Sequence, residues 1–267
     1  MTTESDTFER VRMLLAGELV PASPRPAATV ALVRDGVDGL EVYLLRRVRG
    51  MSFAAGMHVF PGGSVDPADR QDRDVGAQVG WVGPGPDWWA GRFSTEEALA
   101  GALVSAAVRE TFEEAGVLLA GPSAELLVDD VSGDDWEAER VALEGGRQSL
   151  SQLLLRRGLL LRADLLAPVA HWITPEIEPK RFDTRFFVAA LPERQLCRDV
   201  GTEADRRLWI RPEEALSSGL TIMPPTEAVL TDLAGHPDVA SALHADREIT
   251  AVLPRVEVDG DRITLVM

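Results

Sequence analysis

Three glutamates in one short run are the residues of this chain best suited to chemistry. Arg109-Glu110-Thr111-Phe112-Glu113-Glu114-Ala115-Gly116-Val117 closes an otherwise apolar run, 98–108. In a helix, Glu110, Glu113 and Glu114 stand at i, i+3 and i+4, which puts all three carboxylates on one face. They repel one another, and something positive must offset that. Arg109, i, i+4 from Glu113, neutralises one. A hard divalent cation, which prefers oxygen ligands, suits the others. The same residues also suit a solvated helix face laced by an ion pair, and on these nine residues alone both readings stand.

The elements around this run can be read in order. Residues 5–17 form a short amphipathic helix, and the prolines from Pro21 to Pro26 an extended linker. AATVALVR (27–34) and LEVYLLRR (40–47) read as strands joined by a DGVDG turn, a hairpin. A small-residue loop, 50–57, leads to His58-Val59-Phe60 and Pro61-Gly62-Gly63. Residues 67–94 form a polar, Gly/Pro-rich insertion whose Trp88 and Trp89 pin it to the body. Ser94, with Glu97 three residues on, predicts a capping box opening the helix, and Gly116 fits the position just past its end. Residues 117–120 read as a strand and 121–165 as a mostly helical, surface-lying segment whose leucines serve a core or an interface. Strands are predicted at 168–174, 181–190 and 208–210, and a helix at 211–217 with Pro212 in its first turn. A helix over 225–246 breaks near Pro237, and residues 250–256 and 262–266 make a hairpin around Asp259-Gly260. This mixture, without strict βαβ alternation, predicts an α+β fold.

Composition narrows the function. A net charge of −16 argues against nucleic-acid binding and against docking on anionic membranes. It leaves room for a small polyanion held by a local arginine cluster or a metal. Lys180 is the only lysine. Cys197 stands alone, so no internal disulfide forms and a reducing, cytoplasmic setting is expected. Nothing around Cys197 marks an activated thiol. The N-terminus lacks the apolar core of a signal peptide, and no window approaches the about 20 apolar residues of a membrane span.

Joined to Phe60-Pro61-Gly62-Gly63, the helix becomes more specific. Together they resemble the signature of the Nudix hydrolases: a glycine, five residues, an acid, a spacer, then R-E-x-x-E-E-x-G and a hydrophobic residue. Gly63 matches the opening glycine, Asp69 stands where a glutamate is usual, and Arg109, Glu110, Glu113, Glu114, Gly116 and Val117 match the second half. The spacer departs from the pattern: residues 70–108 stand where about seven are usual. The box is either interrupted by a loop or degenerate; interruption is preferred because both halves are intact and long loops cost little entropy. An interrupted box resembles one branch, the peroxisomal-type coenzyme A and acyl-CoA diphosphatases. GMHVFPGG, DPADR, VRETFEEAGVLL, WITP and RFDTRFF all resemble that branch in order. A basic motif upstream of F-P-G-G is partly present. Arg47 and Gly56 fall at its spacing, Ser52 replaces its second arginine, and Arg46 or Arg49 supplies that charge if LLRRVRG is more than a solvated edge strand.

The resemblance implies a Nudix fold: a mixed β-sheet sandwiched between helices, with a long insertion (67–94), an additional helical segment (121–165) and a C-terminal helical and hairpin extension (222–267). Residues 1–26 would be an N-terminal helix and linker, and 27–267 a single domain. It implies Mg²⁺ or Mn²⁺ held by Glu110, Glu113 and Glu114 with a backbone carbonyl of Gly62 or Gly63. Glu110 is a ligand or orients water, Arg109 holds Glu113, and Glu203, with five residues between it and Trp209, is an extra ligand or general base. Arg47, Arg46 and Arg49 are the substrate-binding candidates. His58, His171 and the alternating Phe182, Phe186 and Phe187 suit a packed core at least as well as a ligand. The expected reaction is hydrolysis of CoA or acyl-CoA to 3′,5′-ADP and (acyl-)4′-phosphopantetheine. The alternatives are an ADP-ribose or NADH diphosphatase, and a non-catalytic Nudix-like ligand sensor. A homodimer is the family's common assembly.

Overall fold

The structure, a computed structural model, describes residues 4–48, 50, 54–70, 80–259 and 262–266. In chain order its elements are α1 (Glu4–Leu15), β1 (Arg25–Gly36), β2 (Gly39–Arg47), β3 (His58–Val59), β4 (Gly62–Ser64), β5 (Trp81–Val82), α2 (Pro86–Phe93) and α3 (Glu97–Ala115). There follow β6 (Ala120–Gly121), α4 (Asp134–Glu144), α5 (Leu150–Arg157), β7 (Leu160–Arg162), β8 (Leu166–Ile173), β9 (Phe182–Ala190) and β10 (Ala204–Ile210). The chain closes with α6 (Pro212–Ser217), α7 (Pro224–Leu233), α8 (Val239–His244), β11 (Ala251–Val252), β12 (Arg255–Asp259) and β13 (Arg262–Val266).

The main sheet runs β10-β2-β1-β9-β8-β11. It is mixed: β1 runs parallel to β9, and β2 antiparallel to both β1 and β10. Period-two alternation along β1 separates two cores. Ala28, Val30 and Leu32 face α3, packing with Leu103, Val104 and Ala107. Ala31 and Val33 face the opposite way, toward Val229, Leu230 and Leu233 of α7 and Ala242 of α8. Helices on both faces explain why these strands read as nearly continuous apolar runs. The α+β sandwich expected from the sequence is the observed architecture.

One detail of pairing creates the space for a site. β1 and β2 pair only at their turn end, Val33–Gly36 with Gly39–Val42. Beyond that they part. β3 attaches to β2 at Leu45 and Arg46, while β4 attaches to β1 from Ala27 to Thr29. Phe60 and Pro61 therefore carry the chain across the split, and the Gly62-Gly63 turn is planted on β1 at the mouth of the cleft. The N-terminal helix is tied to this body, with Val11 buried and Arg10 Nε donating to the Ile177 carbonyl at 2.5 Å. No described helix is long and apolar enough to cross a membrane.

Several expectations need correction. Ser94 does not cap the acidic helix. It closes α2 in the left-handed conformation (φ 49°, ψ 52°), and Glu96 is the N-cap of α3 with no side-chain capping bond. Two helices abut there, so the capping-box spacing fell across their junction. The 67–94 insertion is more structured than its composition predicts. Pro86 opens α2, and Trp89 and Phe93, i, i+4 on it, are fully buried against Phe187. Trp89 is thus core, whereas Trp88 is exposed; residues 71–79 lie outside the described residues. The 117–120 strand shrinks to Ala120–Gly121. The 121–165 segment is helical only in α4 and α5, and its leucines divide: Leu153, Leu154 and Leu161 are buried while Leu155 is exposed. Residues 251–252 join the main sheet beside β8, and Pro254, which cannot donate to a ladder, separates them from the β12–β13 hairpin. The turn of that hairpin, 260–261, lies outside the described residues.

Candidate active site

The last two turns of α3 bring the carboxylates to the split in the sheet. Gly116 ends the helix in the left-handed conformation (φ 67°), donating to Phe112 and Thr111 carbonyls. Carboxylates at a helix C-terminus meet the negative end of its dipole, an added cost that only a cation offsets.

Arg109 is the first such cation. Its guanidinium is buried and reaches Asp69 at 3.0 Å, Glu110 at 2.8 Å, Glu113 at 3.1 Å and the Ser64 carbonyl at 2.9 Å. The interrupted box is therefore closed in space: Asp69 returns across the whole insertion to the helix. Glu114 faces the glycine turn instead, accepting from Gly62 N–H at 2.9 Å. Gly62 leaves no room for a side chain, since a Cβ there would sit 2.5 Å from the Ala28 carbonyl oxygen, whereas one at Gly63 would press on the carboxylate end of Glu110, 2.3 Å from Oε1.

Charge does not balance in this cluster. One buried guanidinium serves Asp69, Glu110 and Glu113, and Glu114 has a single amide. Burial accordingly pushes the Glu110 carboxyl up to about 7 and Glu113 up to about 8, against the opposing pull of Arg109. Burial, and then the charge of Glu110, holds Glu114 well above the usual carboxylate range. Burial also raises Asp69, with Arg109 working the other way. Groups perturbed together in a cleft mark a functional site. Among the described residues no three acidic, histidine or cysteine side chains converge into a finished metal cage, because Glu110 and Glu113 turn to Arg109 and Glu114 to Gly62. A divalent cation nonetheless fits the donor type and the surplus negative charge.

This surplus has a measurable consequence. A carboxyl raised in the folded state binds more protons there than when unfolded. Stability therefore falls as pH rises from the unfolded value near 4.5 through 7 and 8. Buried His58, lowered by desolvation, works the other way but is one group against four raised carboxyls. Metal-free protein is expected to melt several degrees lower at pH 8.5 than at pH 6, with Mn²⁺ or Mg²⁺ restoring more at the higher pH; calorimetry with EDTA and with metal checks this. A melting temperature that rises across that range without metal would contradict the electrostatics.

The helix, the glycine turn and the split strands open onto one cavity of about 780 Å³. Glu110, Glu113, Glu114, Gly62 and Gly63 line it, together with Glu203 and Arg47. Arg47 Nη2 lies 3.2 Å from Glu203, whose carboxylate is 56% exposed. Arg46, adjacent on β2, points to the other side of the strand and pairs with Asp205 at 2.7 Å; it does not line the cavity. Arg49 lies outside the described residues. His58 contacts the Thr221 carbonyl, and His171 is buried on Asp183 at 2.6 Å. Phe187 is core, but Phe182 and Phe186 line the cavity with Trp172 and Met223. Burial pushes the Cys197 thiol up to about 12, so it is no nucleophile. Sequence reasoning missed Arg207, a second cavity arginine. Arg206 and Arg207 are neighbours, and only the pairing register of β10 decides which faces in.

Comparison with known proteins decides the family. The chain is 31% identical to a crystallised Nudix hydrolase from Alicyclobacillus acidocaldarius, over 85% of this chain and 98% of that one, with a TM-score of 0.67. The chain belongs to the Nudix hydrolases. No family model matches it. Among curated proteins it is 27% identical to the acyl-coenzyme A diphosphatase NUDT19 of Xenopus laevis, over 72% of this chain and 59% of that protein. Identity to the Gallus gallus protein of the same name is 28%, over 80% of this chain and 64% of that one. This Nudix chain thus spans about six tenths of the length of the curated relatives it matches and resembles their branch.

Proposed function

We propose that this Nudix hydrolase is a metal-dependent diphosphatase acting on CoA or acyl-CoA, with residues 27–267 as its catalytic unit. One observation carries the reading. A single cavity joins the acidic helix and glycine turn to a cationic wall, Arg47 and Arg207, and to an apolar wall that includes Trp172, Phe182, Phe186 and Met223. The names of the two curated relatives support the same substrate class.

Glu110, Glu113 and Glu114, with the Gly62 or Gly63 carbonyl, would hold Mg²⁺ or Mn²⁺. Such a cation neutralises a bound diphosphate and lowers the pKa of coordinated water. The chain's own groups supply the rest. Arg109 sets the rotamers of Glu110 and Glu113 and does not touch substrate. Glu203, at the open side of the cavity and oriented by Arg47, takes the proton of the attacking water. The new P–O bond forms as the bridging P–O bond breaks, releasing 3′,5′-ADP and a 4′-phosphopantetheine. The apolar wall excludes water along the thioester arm.

The test is a panel of CoA, short- and long-chain acyl-CoAs, ADP-ribose and NADH, with Mg²⁺ and with Mn²⁺, and product masses by mass spectrometry. Metal-dependent release of 3′,5′-ADP from CoA species is the expected result. Cleavage of ADP-ribose or NADH alone would replace the substrate assignment. Tight binding without turnover of any would show a ligand sensor.

A further inference from the structure

We propose that Arg207 recognises the phosphate monoester on the ribose of the substrate, with Arg47 beside it, and so sets the preference for a 3′-phosphorylated nucleotide. This rests on the CoA-type reading above.

Strand pairing places the two arginines together. Arg207 lies opposite Leu45 in the β10–β2 ladder, and Arg47 stands two residues further along β2. Period-two alternation puts all three on one face, and all three line the cavity. Neither guanidinium is fully committed. Arg207 contacts Asp199 and the Val200 carbonyl, and its Nε is buried with no partner among the described residues. Asp199 is 86% exposed, so solvent weakens that ion pair. Arg47 Nε is likewise buried with no partner among the described residues, while Nη2 holds Glu203. In a chain of net charge −16, two arginines directed into one cavity form a local anion site.

Sheet order gives that site a direction. The glycine turn sits on β1, between β2 and β9. The reacting diphosphate, placed at the acidic helix, has the cationic β2–β10 wall to one side and the apolar β8–β9 wall to the other. A substrate with a doubly charged monoester at one end and a long, weakly polar arm at the other matches this polarity in one orientation only. Guanidinium geometry suits phosphate oxygens. Lys180, which also lines the cavity, is the rival cation.

The experiment compares CoA with 3′-dephospho-CoA as substrates of the full chain and of its Arg207→Gln, Arg207→Lys and Lys180→Gln variants. Arg207→Gln is expected to lower kcat/KM for CoA by about 10–100-fold, mostly through KM, and for 3′-dephospho-CoA by less than about threefold, the loss of one charge-assisted contact. Arg207→Lys restores part of the discrimination. Both substrates are read on the same preparation, so their ratio is independent of how much protein is folded. Equal losses on the two substrates, as from an arginine that grips the diphosphate or merely props the 199–200 loop, would overturn the inference alone. So would discrimination lost in Lys180→Gln and retained in Arg207→Gln. A wild-type chain that cleaves neither substrate would overturn the CoA-type reading and this inference with it.

Discussion

Replacing Glu114 by glutamine is expected to lower kcat by ~10²–10⁴-fold, the range for loss of one positioned acid–base or charge-bearing group, while leaving the fold intact. Glu114 is held well above its usual range by burial and by the charge of Glu110. It accepts a bond from Gly62 N–H, and a glutamine carbonyl can accept the same bond. The substitution removes one charge and almost no volume. It therefore deletes what a cation needs and keeps what the packing needs. Removing a carboxyl that burial and Glu110 disfavour more than Arg47 favours it should also raise the melting temperature of metal-free protein at pH 8.5. Steady-state kinetics and calorimetry on the same protein separate the effects. An active Glu114→Gln enzyme would sink the assignment of this helix as the metal site. An inactive one that has also unfolded would show that Glu114 serves the core.

The largest stability effect is expected at Arg109. Its guanidinium is the shared partner of Asp69, Glu110 and Glu113, all at least largely buried. Removing one partner of a buried pair leaves an uncompensated charge and typically costs about 3–5 kcal/mol. For a chain of this size Arg109→Ala should melt roughly 10 °C lower. The cost should grow with pH, because the three carboxyls protonate and relieve themselves on the acid side and cannot do so above their raised values. Arg109→Lys should recover only part, since one ammonium lacks the planar fork that meets several carboxylates together. Thermal melts at pH 6 and pH 8.5 check both points. A loss independent of pH would mean that Arg109 acts through packing alone.

These expectations grow from features of unequal legibility. The three glutamates, the i, i+4 pairing of Arg109 with Glu113 and the glycine at the helix end are local, and local spacing is what a helix converts directly into geometry. The hairpin of β1 and β2 was legible for the same reason, since its turn residues and alternation lie within a few positions of each other. The opening of α3 was not. Ser94 satisfies a capping pattern, but Trp89 and Phe93 bury against Phe187, nearly a hundred positions away, and that packing drew the preceding residues into a helix of their own.

The same division runs through the site. Sequence alone determined that Glu110, Glu113 and Glu114 share a face and that Arg109 stands i, i+4 from Glu113; the Gly62-Gly63 turn it predicted is the short strand β4. Only the tertiary structure decided that Asp69 reaches Arg109 across the insertion, that Arg47 turns inward while Arg46 turns out to Asp205, and that Arg207 rather than Arg206 joins it. The reason is strand register. Which face a strand residue takes depends on pairing partners far along the chain, and a shift of one position exchanges the two faces, whereas a helix sets its own periodicity with no partner at all.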